Sequence, residues 1–409
     1  MEILIRDLKT LLKNFELDHD PEPQKRVSDL LDQMARDVAE HEDILTLRVI
    51  IDHNLRRWSR AGDHLTKLIE KDPNNPGLYN DLANLNFKIR DFASVVDNLQ
   101  EYFRLSPNHS DTLPYHAMSS ALHALGRMDE ADAFLDDAVR QNPGLAIYLD
   151  EKFLEHQQAA LDRGLPAVLL NTLFKSASMY IATRLSEGLN LPRCYITQAV
   201  LRGDRIIPSW LDQFAMGGAV CQEHLPARSD ILNNLDRAGV DRIVVHPRDP
   251  RQSMISGIHH FADMFSDTSY EAAAFVTRLP ADYCQLSFSD QADYFLEHNF
   301  EQEARWVADW RRIVSEGGFF GRILLTSYEA FRQDNRAYFE ALLAFYDIPF
   351  ELFDWEHIEV EPKKGTLHYR SGETNEWEKV LSKDQISRAN GIMLAVGFDP
   401  ESTGVDTAG

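Results

Sequence analysis

The chain has 409 residues, of which 44% are hydrophobic and 26% are charged, so it is long enough for two or three globular domains and too apolar to be wholly disordered. Its formal net charge of −23 at pH 7 argues against a nucleic-acid-binding protein, because phosphate backbones are bound by basic surfaces. The same charge argues against attachment to an anionic membrane surface.

Residues 1–160 are predicted to form a helical domain, because apolar residues such as Leu65 and Leu68 recur at three- and four-residue spacing. The prolines that punctuate this domain are Pro73, Pro107 and Pro143. Their intervals of 34 and 36 residues match the period of helix–turn–helix repeats. The domain therefore resembles tetratricopeptide repeats, with about three units and a less regular N-terminal cap. A generic helical bundle is the alternative.

Residues 165–400 are predicted to form an α/β domain, because strand-sized apolar runs alternate there with helical segments. The five runs are Ala167–Leu173, Cys194–Val200, Ala219–Cys221, Arg242–His246 and Arg322–Thr326. Such alternation predicts a parallel sheet with helices on both faces, and residues 401–409 are expected to form a flexible tail. Ligands of such sheets bind at the carboxyl ends of the strands, so we expect the functional residues directly after the runs.

The first run ends in a loop that combines a lysine with small hydroxyl residues. Lys175, Ser176 and Ser178 lie between this run and a helical segment that begins near Tyr180. Backbone N–H groups, hydroxyls and an ammonium at a helix N-terminus form an anion site. The loop is not that of the nucleotide triphosphatases, because GxxxxGK[ST] is absent and the lysine lies close to the strand.

Two further runs are followed by candidate site residues. His224 follows the third run, and Arg248 follows the fourth, with Ser256 eight residues further on in a helix that is predicted to begin at Pro250. A guanidinium grips phosphate through two parallel hydrogen bonds, which lysine cannot do. Glu223 is expected to point away from His224, because neighbouring side chains of an extended segment face opposite sides.

These segments and their order along the chain resemble, over residues 165–396, the sulfotransferases that use 3′-phosphoadenosine 5′-phosphosulfate (PAPS) as the donor. The Lys175 loop resembles their 5′-phosphosulfate loop, and Arg248 with Ser256 resembles their 3′-phosphate motif. His-Leu-Pro at His224 resembles the segment with their catalytic histidine. The late loop at residues 367–378 resembles the loop that closes over the 3′-phosphate. The sequence departs from the family pattern at Phe174, Ala177 and Asn375, where proline, glycine and glycine are usual. It also departs at Ser371, where a second basic residue is often found.

This resemblance implies transfer of a sulfuryl group from PAPS to a hydroxyl or amine, with 3′,5′-ADP as the product and no metal. His224 would be the general base, and Lys175 would stabilise the leaving phosphate. The implied cofactor contacts are Lys175, Ser176, Ala177, Ser178, Met179, Tyr180, Arg248, Ser256, Tyr328, Arg370, Ser371 and Gly372. Tyr180 and Tyr328 are candidates to stack on the adenine, although Tyr328 also fits a place in the core.

The acceptor is expected to be a glycan or a small hydroxylated molecule, bound by the loops at residues 202–218 or 279–300. The helical repeats are expected to bind a protein partner or a second copy of the chain. A non-catalytic repeat scaffold with a decayed nucleotide-binding domain is the second interpretation. A P-loop kinase is a third, but the sequence lacks the lysine position and metal ligands that it needs.

The remaining features concern location. The three cysteines are widely spaced and form no CxxC pair, which favours a reducing compartment. The first residues lack the basic start and apolar core of a signal peptide, and no run reaches the roughly 18 apolar residues of a membrane helix. We therefore expect a cytoplasmic protein with no membrane span.

Overall fold

The structure is a computed structural model that describes residues 40–55, 57–107, 113–141, 151–198, 202–264, 279–280, 283–359 and 372–401. The described residues form two compact units, the first of which comprises residues 40–138. No helix in these ranges has both the length and the apolar character that a membrane crossing requires.

The first unit is helical. Its helices are α1 (Glu42–Asn54), α2 (Trp58–Lys71), α3 (Pro76–Lys88), α4 (Phe92–Leu105), α5 (Leu113–Ala124) and α6 (Met128–Gln141). Leu65 and Leu68, from the apolar periodicity, are buried against Leu45 of α1 and Leu85 of α3. Asp91 caps α4 by accepting a hydrogen bond from the amide of Ser94. Successive helices of about three to four turns therefore pack side by side, and their assignment as tetratricopeptide repeats stays a prediction.

The second unit contains the sheet. Its strands are β1 (Ala167–Thr172), β2 (Arg193–Cys194), β3 (Thr197–Gln198), β4 (Arg202–Ile206), β5 (Ala219–Glu223), β6 (Arg242–His246) and β7 (Arg322–Leu325). Its helices are α7 (Glu151–Leu161), α8 (Ser178–Leu189), α9 (Pro208–Ala215), α10 (Ser229–Arg237), α11 (Pro250–Met264), α12 (Phe288–His298), α13 (Phe300–Glu316), α14 (Tyr328–Gln333), α15 (Asn335–Phe345), α16 (Glu356–Glu359), α17 (Trp377–Val380) and α18 (Lys383–Ala395). Two 3₁₀ turns lie at Tyr283–Gln285 and Phe350–Leu352.

The main sheet has five parallel strands in the order β2-β5-β1-β6-β7. The prediction of a parallel α/β sheet is therefore confirmed, and each of the five apolar runs supplies one strand. β1 lies between β5 and β6, so the chain segments that follow these three strands emerge side by side at one edge. This edge contains the switch in strand order at which open α/β sheets bind their ligands.

Each face of the sheet is covered by its own hydrophobic core, because successive side chains of a strand point to opposite faces. Leu169 belongs to one core together with Trp310 of α13. The next residue, Leu170, belongs to the other core together with Leu185 of α8 and Phe339 of α15. The sheet is therefore the middle layer of three, and polar groups can gather where its strands end.

Three details differ from the sequence prediction. The run Cys194–Val200 is divided, because only Arg193–Cys194 joins the main sheet while β3 pairs with β4 in a separate antiparallel hairpin. Trp306 and Trp310, four residues apart, predict one long helix over residues 290–313, but the chain breaks at Asn299 between α12 and α13, where φ is −128°. Finally, α7 packs within the second unit rather than the first.

Candidate active site

The candidate site lies where β1, β5 and β6 end. The loop at residues 173–177 follows β1, His224 follows β5 and Arg248 comes two residues after β6. The structure therefore brings Lys175, His224 and Arg248 to the same edge of the sheet, although they are far apart in the sequence.

The loop after β1 is compact because two of its residues adopt left-handed backbone conformations. Lys175 has φ of 61° and Ala177 has φ of 66°. Between them, the hydroxyl of Ser176 is fully buried and donates to the carbonyl oxygen of Leu173 at 2.6 Å. The Ser176 hydroxyl is thus used inside the loop, so any contribution of Ser176 to anion binding falls to its backbone.

The loop leads directly into the N-terminus of α8. Ala177 is the residue before this helix, and no side chain caps the helix there. The first N–H groups of an α-helix have no partner within the helix, so they favour a bound anion. Ser178, the first helical residue, is mostly buried. The loop and the start of α8 together have the arrangement of an anion site.

A left-handed backbone is unfavourable for alanine, and this gives a test of the loop conformation. We expect Ala177→Val to lower the free energy of unfolding by about 1–2 kcal/mol, because a β-branched side chain fits this region worse than alanine. Ala177→Gly is the matched control and should change it by less than about 1 kcal/mol, since relief of strain offsets the greater backbone entropy of glycine. Urea unfolding measures both values, and equal stability of the two variants would contradict a left-handed residue 177.

Lys175 and His224 both lie near the ring of Phe174. The ammonium of Lys175 is 5.8 Å from the centroid of the Phe174 ring, and that ring lies 6.0 Å from the His224 ring. The positive charge of Lys175 also contributes to the lowered pKa of His224. The positive charge of Lys175 therefore disfavours the protonated form of His224.

The tautomer of His224 follows from its contacts. Nδ1 lies 2.6 Å from the carbonyl oxygen of Thr172, which can only accept, so Nδ1 carries the proton. Nε2 consequently has the lone pair, with the amide of Gln222 at 3.4 Å. Burial is the main cause of the lowered pKa, and Lys175 adds to it, while the bond to Thr172 opposes it. His224 is therefore neutral at pH 7 and able to accept a proton at Nε2.

Glu223 faces the other way. Its carboxylate accepts hydrogen bonds from the amides of Ile196 at 2.6 Å and Thr197 at 2.9 Å. Burial raises the pKa of Glu223 to about 7. The carboxylate holds the start of the β3–β4 hairpin and does not orient His224.

Arg248 connects three parts of the site. Its guanidinium donates from Nη1 to the carbonyl oxygen of Lys175 and from Nη2 to that of Glu373, both at 2.7 Å. It also lies 3.8 Å above the ring of Tyr328, which is buried. Arg248 thus ties the loop after β1 to the segment that begins at Gly372. Tyr328 was a candidate to stack on the adenine. In the structure, one face of its ring is covered by the guanidinium of Arg248.

The segment after Gly372 is held by the first turn of α11. Gln252 accepts a hydrogen bond from the amide of Glu376 at 2.7 Å, and Arg251 stacks on Trp377 at 3.8 Å. Ser256 lies one turn beyond Gln252 on α11 and is half-buried. Arg370 and Ser371 lie outside the described residues, so their predicted contacts stay predictions.

Two predicted residues on α8 point to its flanks. Met179 accepts a hydrogen bond from Arg193 of β2 at 3.4 Å. Tyr180 has the guanidinium of Arg184 5.0 Å from its ring centroid, and its hydroxyl lies 3.4 Å from the carbonyl oxygen of Ile358. These contacts place both side chains beside the loop rather than within it.

His246 shapes the site but was not singled out from the sequence. Its Nε2 donates to the carbonyl oxygen of Ser176 at 2.9 Å, so Nδ1 must accept, and it does so from the hydroxyl of Tyr338 at 2.8 Å. Burial lowers the pKa of His246 to about 3, so this imidazole stays neutral. Its position in the sequence could have identified it, because a polar residue at the end of a buried parallel strand lies where such sheets bind their ligands.

Comparisons with known proteins include a distant structural similarity. No protein-family model and no curated protein match the sequence. Among solved structures, the crystal structure of mouse sulfotransferase SULT7A1 complexed with PAP aligns with a TM-score of 0.39 and 13% identity, over 59% of this chain and 88% of that chain. A TM-score this low does not establish a common fold, so the case for a function has to come from the site itself.

Proposed function

We propose that this protein transfers a sulfuryl group from PAPS to a hydroxyl group of a glycan or small hydroxylated acceptor. The observation that carries the proposal is that His224, whose Nδ1–H is bound to Thr172 and whose pKa the charge of Lys175 lowers, follows β5 beside the loop that leads into the uncapped N-terminus of α8. A proton acceptor beside an anion site is what transfer from an anionic donor to a hydroxyl requires.

The residues at the sheet edge fit a donor with phosphates at two positions. The loop at residues 173–177 and the uncapped start of α8 suit the 5′ end. Arg248 is proposed to contact the 3′-phosphate, because a guanidinium grips phosphate through two parallel hydrogen bonds. Ser256, Arg370, Ser371 and Gly372 are proposed as further contacts on that side.

When bound, PAPS supplies an activated sulfuryl group. The protein's own residues accept the proton and stabilise the developing charge. His224 accepts the proton of the acceptor hydroxyl at Nε2, while its Nδ1–H stays on the carbonyl oxygen of Thr172 and fixes the ring. The ammonium of Lys175 offsets the negative charge that develops at the 5′ end. Neither role needs a metal ligand, and we propose a metal-independent reaction.

The helical unit is proposed to be a set of tetratricopeptide repeats that binds a protein partner or a second copy of the chain. Helices stacked in this way form extended surfaces that suit such partners. We propose a cytoplasmic location, in keeping with the three widely spaced cysteines, which favour a reducing compartment.

Binding of 3′,5′-ADP is the first test. We expect 3′,5′-ADP at about 100 times its Kd to stabilise the protein by about 2.7 kcal/mol in a thermal-shift experiment. Matched controls are 5′-AMP, which lacks the 3′-phosphate, and ATP with Mg²⁺, which a kinase would prefer; both should give much smaller shifts. Equal shifts with 5′-AMP and 3′,5′-ADP would contradict the assignment.

A PAPS-dependent transfer assay across sugars, phenols, alcohols and amines then tests the reaction. Sulfated product with at least one acceptor is the expected result. Binding of 3′,5′-ADP without transfer to any of these classes would favour the scaffold with a decayed site, while a stabilising effect of ATP with Mg²⁺ alone would favour the kinase.

A further inference from the structure

The backbone directly after His224 is held by side chains from two elements. The carbonyl oxygen of Leu225 accepts hydrogen bonds from the indole N–H groups of Trp306 and Trp310 on α13, at 2.7 and 2.8 Å. It also accepts one from the side-chain amide of Asn171 on β1, at 3.0 Å. A carbonyl oxygen has two lone pairs, so three N–H donors saturate it. The carbonyl group next to His224 therefore has a fixed direction.

Asn171 holds Leu225 at both of its backbone polar groups. The side-chain oxygen of Asn171 accepts from the amide N–H of Leu225 at 2.6 Å, while its NH₂ group donates to the carbonyl oxygen. Because a backbone N–H only donates and a carbonyl only accepts, this is the one orientation of the side-chain amide that makes both bonds. The pairing of β1 with β5 ends at Glu223, and the side chain of Asn171 continues it to Leu225.

The next residue of β1 holds the ring of His224. The carbonyl oxygen of Thr172 accepts from Nδ1 of the imidazole at 2.6 Å. Two consecutive residues of β1 therefore restrain the backbone that carries the imidazole and the imidazole itself. Asn171 is fully buried whereas His224 is half-buried, so the restraint comes from the interior and part of the ring stays accessible to an acceptor.

The packing of β1 does not by itself require an amide at position 171. Asn171 follows three buried apolar residues of the strand, Val168, Leu169 and Leu170. A buried amide is destabilising unless its hydrogen bonds are made, and an apolar side chain would carry no such cost. The two bonds that Asn171 makes are both to the residue beside His224, which indicates a role in the placement of that histidine.

We propose that Asn171 is a positioning residue that acts through the backbone of Leu225 to aim Nε2 of His224 at the acceptor hydroxyl, and that Trp306 and Trp310 support it. This inference rests on the proposed function of His224 as the general base. It adds residues that hold the base without touching the substrate.

Replacing Asn171 with leucine removes both bonds and changes the size of the side chain little. We expect kcat for sulfuryl transfer to fall about 10- to 100-fold, because displacement of a reacting group by about 1 Å can cost that much. The Kd for 3′,5′-ADP should stay within about twofold, since the loss concerns the reaction step rather than donor binding. Asn98→Leu is the matched control: Asn98 is half-buried in the first unit, where its amide donates to the carbonyl oxygen of Ser94 at 2.7 Å. It should change neither quantity.

A double-mutant cycle separates positioning of the base from a general structural role. In a His224→Gln background there is no base to aim, so Asn171→Leu should lower kcat by less than about threefold further. An equal fold-loss in both backgrounds would overturn the inference, and so would an unchanged kcat of the single variant. A rise in the Kd for 3′,5′-ADP as large as the fall in kcat would overturn it as well, because Asn171 would then act on the nucleotide site.

Trp306→Phe keeps the test available if Asn171→Leu does not fold. It removes one of the three donors to Leu225 and keeps an aromatic ring in the core. We expect kcat to fall about two- to tenfold, the equivalent of one hydrogen bond, and the fall should again vanish in the His224→Gln background. Persistence of the fall in that background would count against the inference in the same way.

A further measurement needs no turnover. In protein labelled with ¹⁵N-histidine, NMR distinguishes an Nδ1–H from an Nε2–H imidazole, and the His224→Gln spectrum assigns the signals of His224 by their loss. The bond to Thr172 predicts the Nδ1–H tautomer in the wild type, and Asn171→Leu should give a mixture of both tautomers. The same tautomer in both proteins would overturn the inference. A wild type that transfers sulfuryl to no acceptor would instead overturn the proposed function, and the tautomers would still decide on Asn171.

Discussion

Replacing His224 with glutamine should lower the rate of sulfuryl transfer by about 10²- to 10⁴-fold and leave the affinity for 3′,5′-ADP within about twofold. The loss is expected because Nε2 of His224 is the proposed proton acceptor, and glutamine can keep a donor on Thr172 without providing a base. Transfer assays with PAPS and calorimetry with 3′,5′-ADP measure the two quantities.

The matched control for this prediction is His298→Gln, because His298 is exposed at the end of α12. It should leave both quantities unchanged. Turnover of His224→Gln near that of the wild type would remove the general base from the mechanism. Loss of 3′,5′-ADP binding together with turnover would instead show that His224 supports the nucleotide site.

The pH dependence of the transfer rate should also reflect the protonation of His224. Because burial and Lys175 lower the pKa of His224, the neutral base persists below pH 6.5, the ordinary pKa of histidine. The rate should therefore decline only at a more acidic pH than a solvent-exposed histidine would give.

Replacing Arg248 should have the largest effect on the donor. We expect Arg248→Lys to raise the KM for PAPS by roughly 10- to 100-fold, which corresponds to loss of charge-assisted hydrogen bonds at a buried position. Lysine keeps the charge, but an ammonium does not span the carbonyls of Lys175 and Glu373 or stack flat on Tyr328. The effect should be larger on 3′,5′-ADP than on 5′-AMP, and calorimetry with both nucleotides measures the difference.

Arg237→Lys is the matched control for this prediction, because Arg237 is exposed and pairs with Asp212 at the surface. The free energy of unfolding of Arg248→Lys must be measured alongside, since the guanidinium also anchors the loop. An unchanged KM for PAPS would defeat the assignment of Arg248 to the donor. An equal loss of affinity for 3′,5′-ADP and 5′-AMP would reduce its role to holding the loop.

Much of the sheet could be predicted from the sequence because strands that are buried on both faces are continuous apolar runs. The run Arg242–His246 became β6 with the same bounds, and Ala167–Leu173 became β1 with one residue fewer. Position after a strand was enough to bring Lys175, His224 and Arg248 to one edge, because a parallel sheet gathers the carboxyl ends of its strands there. The chemical roles of these three residues stay predictions.

Other features depend on contacts that the sequence does not reveal. The left-handed φ of Lys175 is supported by Arg248 and Ser253, which lie more than 70 residues away in the chain. Burial raises the pKa of Glu303, which lies on a face of α13 that sequence periodicity identifies only as apolar packing around its tryptophans. Strand pairing likewise determined that Cys194 joins the main sheet while Thr197 and Gln198 pair with β4, because apolar character alone suits either arrangement.

The helix α7 has a consequence for how such proteins can be recombined. It precedes the sheet in the chain, yet Phe153 is buried in one of the two cores that cover the sheet and Ala160 in the other. Gln157 donates to the carbonyl oxygen of Gly217 at 2.7 Å, just before β5. A genetic crossover in the turn between α7 and β1 would therefore leave apolar surface behind on both fragments. A transplanted second unit has to carry α7 with it, which moves the workable junction to a point upstream of residue 151.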